Sequence, residues 1–446
     1  MNKPSLSRRS FLKTGAALAS GLTVAPALLI GNRRSALNRL NLAVIGCGNR
    51  AEQLVREIPD DVNIVAMVNP VKEKRDRFAR EYNVSRDDTH CKAYNDFRVI
   101  IGSDEIDGII LATPDHWHVP VAMEAARHGK DMYVEKPLGV SLLDAFRLRR
   151  MFEKKDILFQ YGTQQRSSLF ARTAIDIVRN GYIGALQEVD VWSPSLGSAH
   201  MDPFTAKEQP VPEGLDYDLY VGPSELLPFH PERVTMHASW HSYNYAIGFI
   251  AGWGSHPLDI CQWGLDMDDS GPVHYEGTGV LPHPESLYNT TRAWDIHCRY
   301  PNGIPMRFMD SETALPIVTE YTRFWRGDGT VFKGSEGWVQ YSRGAIYLFK
   351  DGKYMSTANF PFKETDRRAY VSDNQVQNFI DCMRSREPTI NPLESAIRSD
   401  TISHLAEIVV RTGEGVTWNL DAERIENGSP EQLALLDRPK REPYGF

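Results

Sequence analysis

Leu40-Asn41-Leu42-Ala43-Val44-Ile45-Gly46-Cys47-Gly48-Asn49-Arg50-Ala51 is the stretch that decides the fold. Its first six residues form a short apolar run of the length of a buried strand, and two glycines end it. Beyond them Ala51, Leu54, Val55 and Ile58 recur at helical spacing. In the order strand, turn, helix, the spacing G-x-G-x-x-A has a physical meaning. Gly46 permits the tight turn, Gly48 lets the backbone approach a pyrophosphate, and Ala51 lets the helix pack closely on the strand. The helix N-terminus then offers unpaired N–H groups to the phosphates, so Gly46, Gly48, Asn49 and Arg50 form a candidate dinucleotide loop.

The same alternation continues outward. Val62 to Val68 (VNIVAMV) reads as a second buried strand, and a helix is expected from Lys72 to Tyr82 behind Pro70. Ile106 to Thr113, Met132 to Glu135 and Ile157 to Tyr161 read as strands, with helices at Val119 to His128 and Leu142 to Lys155. Such alternation builds a doubly wound parallel sheet, here a Rossmann domain over residues 38–160. Residues 161–446 have a different rhythm. Period-two strands are expected at Val273 to Leu281, Trp294 to Tyr300, Pro305 to Met309, Gly337 to Ser342 and Ala345 to Phe349. Asn302-Gly303 marks a hairpin, and helices at Asn374 to Arg384 and Leu393 to Arg411 close the chain. The fold class expected is α/β, a Rossmann sheet followed by an α+β domain with an open, largely antiparallel sheet.

The length of 446 residues exceeds what one core usually supports, in keeping with two domains. The formal net charge is -8, and nothing basic runs along the chain beyond its first residues, which argues against a nucleic-acid partner. Residues 1–35 read as a targeting segment. Ser7-Arg8-Arg9-Ser10-Phe11-Leu12-Lys13 carries a twin arginine, Ala16 to Ile30 is apolar, and Ala25-Pro26-Ala27 is a cleavage candidate. Gly21 and Pro26 break the apolar stretch, which is short for a membrane span. The expectation is a mature chain in a bacterial periplasm, exported by the twin-arginine route and without a stable span. The five cysteines are an odd number without metal-site spacing and read as mostly buried thiols.

The second strand of such a domain usually ends in Asp or Glu, about 20 residues past the glycine loop, to grip the ribose hydroxyls. Asn69 stands there instead. An amide still bonds a hydroxyl but does not repel a 2′-phosphate, and Lys72, Lys74 and Arg75 follow closely. NAD against NADP is therefore left open, with NAD as the expectation.

Four segments resemble the Gfo/Idh/MocA oxidoreductases, over most of the chain. They are the glycine loop, Thr113-Pro114-Asp115-His116-Trp117-His118, Glu135-Lys136-Pro137, and Gly254-Ser255-His256-Pro257-Leu258-Asp259. Tyr161-Gly162-Thr163-Gln164-Gln165-Arg166 and Gly334-Ser335-Glu336-Gly337-Trp338 are similar to the exported branch of that family. The resemblance implies that Thr113, Pro114, His116, His118, Glu135, Lys136 and Gln165 join Asn69 in holding the cofactor. It also implies that Lys136 lies beside both the nicotinamide and the substrate hydroxyl. A nearby cationic ring would lower the lysine pKa and suit it to proton transfer. Pro257 favours a helix start, so His256 is expected at a helix N-terminus, where the dipole favours its neutral form. Asp259 shares that helical face and is expected to orient the imidazole. One position departs from the family: many of its dehydrogenases carry an Asp where this chain has Gly252.

Substrate contacts are expected from Arg166, Trp240, Tyr243, Trp253 and His256, and Tyr245 and Trp263 add further flat faces that could suit a pyranose. His237 and His241 have helical metal-ligand spacing but no evident third ligand, so no metal is expected. Asp266, Asp268 and Asp269 read as a solvated turn. The resemblance thus implies an NAD(P)-dependent enzyme that oxidises a ring hydroxyl of a sugar or glycoside and recycles a tightly held cofactor in place. A homo-oligomer through the C-terminal sheet is expected. Two alternatives stand beside it. One is a redox-neutral glycosidase that oxidises C3 transiently and eliminates the group at C1. The other is a non-catalytic sugar-binding protein.

Overall fold

Six strands make the first sheet, in the order β3-β2-β1-β4-β5-β6. They are β1 (Leu40–Ile45), β2 (Val62–Val68), β3 (Lys92–Tyr94), β4 (Gly108–Leu111), β5 (Asp131–Val134) and β6 (Phe159–Tyr161). The pairs β1/β4, β2/β3, β4/β5 and β5/β6 are parallel. Parallel neighbours need crossovers, supplied by α1 (Asn49–Arg56), α2 (Lys72–Ser85), α3 (His118–Arg127) and α4 (Leu142–Phe152). Covered on both faces, β4 and β5 are buried along their whole length, which explains their unbroken apolar runs. Strand order reverses between β1 and β4, and an open sheet holds its ligand at such a switch point. Gly46 is required there. Its φ is +98°, and a Cβ would lie 2.3 Å from the Ala112 carbonyl oxygen.

This computed structural model describes residues 39–86, 90–153, 155–196 and 206–445. The twin-arginine motif and its cleavage candidate lie outside them. The chain divides after Leu40, and the residues from Asn41 onward make one unit.

The second sheet has ten strands, in the order β14-β13-β12-β11-β7-β10-β9-β8-β15-β16. Its inner strands are β7 (Leu186–Ser193), β8 (His274–Val280), β9 (Ala293–Arg299), β10 (Pro305–Asp310), β11 (Gly329–Gly334), β12 (Gly337–Ser342) and β13 (Ala345–Lys350). Short strands finish its two ends: β14 (Lys353–Met355) at one edge, and β15 (Val416–Asn419) followed by the edge strand β16 (Arg424–Ile425) at the other. Hairpins make most neighbours antiparallel; β7 and β10 pair in parallel. Gly303, with φ +87°, turns the β9–β10 hairpin at the expected Asn-Gly. In β9, buried Trp294, Ile296 and Cys298 alternate with more open Asp295, His297 and Arg299, so one face is packed and the other is not. Strand β7 and the helix before it, α5 (Leu169–Arg179), were not legible as elements in the sequence. Glu188 and Asp190 interrupt the apolar pattern of β7, and Lys333 of the neighbouring strand pairs with both, at 2.6 and 2.7 Å.

Among the remaining helices, three are longer: α6 (Ser255–Leu265), α7 (Gln375–Ser385) and α8 (Leu393–Thr412). Helix α8 is buried over most of its length and packs against α4, α6, β6 and β8, so it binds the two sheets together. Its Asp400 accepts hydrogen bonds from the Leu138 backbone N–H and the Tyr161 hydroxyl. That clamp holds the loop following β5. All five cysteines are buried thiols without a disulfide.

Candidate active site

A cleft of about 660 Å³ opens at the carboxyl ends of β1, β2, β4 and β5. One end is built for a dinucleotide. Gly46, Gly48, Asn49, Arg50, Asn69, Lys74, Thr113 and Pro114 line it. A Cβ at Gly48 would meet nothing of the protein within 4 Å, so the glycine leaves open space where a phosphate backbone would approach. No side chain caps α1, and its first residues, Asn49 and Arg50, line that space. Thr113 Oγ1 is buried without a hydrogen-bond partner, an orphan that a ribose or phosphate oxygen would satisfy. These features fit a nicotinamide dinucleotide. Of the three cations after Asn69, only Lys74 lines the cleft. Lys72 pairs with Asp76, and Arg75 donates to the Asn69 carbonyl and to Asn95 Oδ1, both at 3.0 Å.

At the other end, Glu135, Lys136, Gly252, Trp253, His256, Trp240, Phe249 and Arg343 converge. Glu135 Oε1 accepts from Arg50 Nε at 2.7 Å and Gln164 Nε2 at 3.2 Å, tying the glycine loop to the end of β5. Lys136 Nζ donates to the Gly252 carbonyl at 2.7 Å. Burial lowers its pKa, against the opposing pull of Glu135 and Asp115. His256 lies in the first turn of α6, with Nδ1 buried and unpartnered. Burial, then Lys136 and Arg343, hold its pKa well below the ordinary value, so the ring is neutral and able to accept a proton. Asp115 also lines the cleft, and burial pushes its carboxyl up to about 8. Trp240, Phe249 and Trp253 form a partly exposed aromatic wall, Trp253 standing edge-on to His256 at 5.8 Å.

His118 lines the cleft but acts as a fastener: its ring nitrogens reach the Pro137 carbonyl at 2.7 Å and the Thr113 carbonyl at 2.9 Å. Both partners are acceptors, so the neutral ring satisfies only one as a donor.

Five of the residues expected at the site take other places. Asp259 does not orient His256. It is fully buried and accepts from Arg166 at 2.6 and 2.9 Å, Thr163 at 2.6 Å, Asn391 at 3.0 Å and Ser399 at 3.2 Å. Helical spacing put it within reach of the imidazole, but a buried carboxylate is drawn to the cation beside it. Arg166 is therefore no substrate contact: it is 1% exposed, pairs with Asp259 and Asp268, and lies over the Trp263 ring. Asp268 lies in a turn with its side chain 39% exposed, as expected, and from there it also partners this pair. Tyr243 sits between the guanidinium groups of Arg411 and Arg438, at 3.4 and 3.6 Å from its ring centre, facing a second cavity. His116 faces that cavity too, with Nε2 3.0 Å from the Tyr220 carbonyl. Gln165 is buried against Asp328, and its neighbour Gln164 reaches the cleft instead. Tyr245 and Trp263, offered as extra stacking faces, are core residues.

The sequence reading missed Asp115, Gln164, Phe249 and Arg343. The first two lie inside motifs already quoted. Phe249 and Arg343 carry no local signal; only packing brings them to the cleft.

Comparison with known proteins agrees with this geometry. Residues 40–163 match the NAD-binding Rossmann fold of the Gfo/Idh/MocA oxidoreductase family, and residues 199–446 match the family's C-terminal alpha/beta domain. A Glycosyl hydrolase family 109 protein of Saccharopolyspora erythraea is 29% identical over 170 residues, covering 33% of this chain and 37% of that protein. The NAD(+)-dependent scyllo-inositol 2-dehydrogenase of Bacillus subtilis is 27% identical over 133 residues, 29% of this chain and 37% of that enzyme. These matches span less than half the length of each curated relative. Among solved structures, the aldose-aldose oxidoreductase of Caulobacter crescentus superposes with a TM-score of 0.58 at 16% identity, covering 85% of this chain and all of that one. An oxidoreductase from Agrobacterium radiobacter in complex with NAD+, L-tartaric acid and magnesium gives the same score and identity over 86% of this chain and 99% of that one. With both domain models matched and the dinucleotide cleft between the expected strands, this chain belongs to the NAD-binding Gfo/Idh/MocA oxidoreductase family.

Proposed function

We propose that the protein oxidises a ring hydroxyl of a pyranose or its glycoside with a dinucleotide that stays bound, and that a second, carbonyl-bearing sugar then accepts the hydride and is reduced to an alcohol, so that the cofactor is recycled in place. The observation that carries this reading is the approach of Lys136 and neutral His256 beneath a wall of three aromatic rings, at the end of the dinucleotide cleft. A bound nicotinamide supplies the hydride acceptor. The chain's own residues do the rest. Trp240, Phe249 and Trp253 hold the apolar face of the sugar ring and exclude water. The neutral His256 ring, or Lys136 when neutral, takes the hydroxyl proton as the C–H bond breaks. Names among the relatives support a polyol or sugar substrate, since they include an NAD(+)-dependent scyllo-inositol 2-dehydrogenase and glycosyl hydrolase family 109 proteins.

A second reading is net glycoside hydrolysis, favoured by Gly252 and by the similarity to glycosyl hydrolase family 109 proteins. Oxidation at C3 acidifies the C2 proton. Loss of that proton expels the group at C1, water adds at C1, and return of the hydride to C3 restores the alcohol. The twin-arginine motif supports export to a periplasm, and a tightly bound cofactor suits a place without free dinucleotide. The open face of the second sheet, with His274, Glu276, His297 and Arg299 exposed, is proposed as a homo-oligomer surface.

One experiment separates these readings. Purified protein is incubated with a panel of sugars and glycosides in heavy water, while bound-cofactor absorbance is followed and products are identified by mass spectrometry. Ring oxidation yields a keto sugar lighter by one H₂. The hydrolytic route releases aglycone and places deuterium at the carbon beside the transient ketone. A panel giving neither product and no cofactor reduction would leave the sugar-oxidising reading without support.

A further inference from the structure

Arg343 lies in the turn between β12 and β13, far in sequence from every motif that marks the cleft. It is exposed and lines the reacting end of the cleft. Its guanidinium carbon sits 5.3 Å from the centre of the Trp253 ring, which itself stands edge-on to His256. Among the described residues Arg343 forms no ion pair. Asp328 is the carboxylate that senses it, but Asp328 is buried and held by Gln165 at 3.4 Å.

The charges around this end of the cleft are one-sided. The carboxylates lining it are Glu135 and Asp115. Glu135 is paired with Arg50. Burial keeps Asp115 largely protonated near neutral pH. Lys136, Arg343 and His256 remain, with the uncharged Gly252 between them, and a Cβ at Gly252 would meet only Phe249, at 3.9 Å. Among the described residues no carboxylate forms an ion pair with Lys136 or Arg343, which leaves a direct negative partner at this end of the cleft to the ligand.

Resting on the sugar-oxidising reading above, we infer that Arg343 is a specificity-determining residue that receives a carboxylate borne by the substrate, which makes the substrate an acidic pyranose or its glycoside. A guanidinium matches a carboxylate through two parallel N–H···O bonds, and Trp253 presents a flat face against which that plane is held. A site built to bond such a group discriminates against a ligand lacking it.

Calorimetric titration of the protein as purified, with its cofactor, tests this apart from turnover. The probes are D-glucuronate, D-galacturonate and N-acetylneuraminate, each against its methyl ester, which keeps the shape and removes the charge. At least one acid is expected to bind tenfold or more tighter than its ester. Arg343→Gln should weaken that acid by roughly 10- to 100-fold, the worth of a hydrogen bond to a charged group. Ester binding and the thermal midpoint should stay unchanged, and Arg343→Lys should recover part of the loss. Absence of any preference for the acids, or a preference that survives Arg343→Gln, overturns the inference and marks Arg343 as a solvated surface residue. Acids that bind through Arg343 yet give no keto product and no cleavage leave this inference standing and remove the proposed reaction.

Discussion

Asp259→Asn separates a catalytic from a structural role for this carboxylate, and the geometry favours the structural one. The substitution keeps the side-chain shape but removes the negative charge that faces Arg166 at 2.6 and 2.9 Å. Burial works against the Arg166 charge, but Asp259 and Asp268 outweigh it and hold the guanidinium above its ordinary pKa, so it stays charged. After the change Arg166 keeps only Asp268, whose side chain is 39% exposed and therefore screened by water. Breaking one side of a buried pair costs about 3–5 kcal/mol, because a buried charge is left uncompensated. With Asp268 still present, the lower end applies, about 3 kcal/mol. For a folding unit of about 400 residues, at about 2.1 cal/mol/K per residue, each kcal/mol moves the midpoint by about 1.2 °C, so the expected fall is roughly 3–4 °C. Tryptophan fluorescence and far-ultraviolet circular dichroism should be followed together, since coincident transitions justify the free-energy reading. Arg166→Met should fall similarly, and the double variant should lose less than the sum. Turnover below the melting range should change little, because Asp259 makes no bond to His256. The reasoning is refuted if Asp259→Asn melts like the parent while its turnover drops by about 10² or more, the mark of a carboxylate acting through the histidine.

Three further outcomes follow from the site. Lys136→Ala and His256→Ala should each lower turnover by about 10² or more while the dinucleotide, released by acid and measured by chromatography, stays bound; near-full activity in both would move the reaction elsewhere. Gly48→Val should fold within about 0.5 kcal/mol of the cofactor-stripped parent yet purify without dinucleotide, because its side chain fills space only a ligand occupies; Gly46→Ala should lose stability as well, given its φ of +98° and the 2.3 Å approach to Ala112. Asp400 is pushed up to about 7 by burial, against about 3.9 in an unfolded chain, so between those values the folded state holds a proton that the unfolded state releases. Its contribution to stability therefore falls as pH rises from about 4 to about 7 and is level above that, and Asp400→Asn should flatten this part of the denaturation-midpoint profile, a reading that identical profiles would falsify.

Much of this protein is legible in the sequence, because the features that specify it are local. Strand β1, the glycine turn and α1 occupy one short stretch, and a turn that needs φ +98° writes itself as Gly46. Buried parallel strands write themselves as apolar runs, which is why β2 spans the VNIVAMV run and no more. The segments quoted for the cofactor, around Gly46, Asn69, Thr113 and Lys136, end strands of one sheet, and strand order alone brings them to one cleft with His256 added from the second domain's helix. Tertiary structure decided what depends on competition between distant partners. Helical spacing allowed Asp259 to reach His256, yet Arg166, Thr163, Asn391 and Ser399 claimed it, since a buried carboxylate settles where the most charge and hydrogen bonding meet it. Tyr243 left the aromatic wall for two guanidinium groups that lie near the end of the chain. The parallel pairing of β7 with β10, and the arrival of Arg343 beside Trp253, are contacts across long loops that no periodicity encodes. Local chemistry thus wrote the elements and the dinucleotide loop, while burial and charge pairing across the whole unit settled which side chains were left to face a substrate.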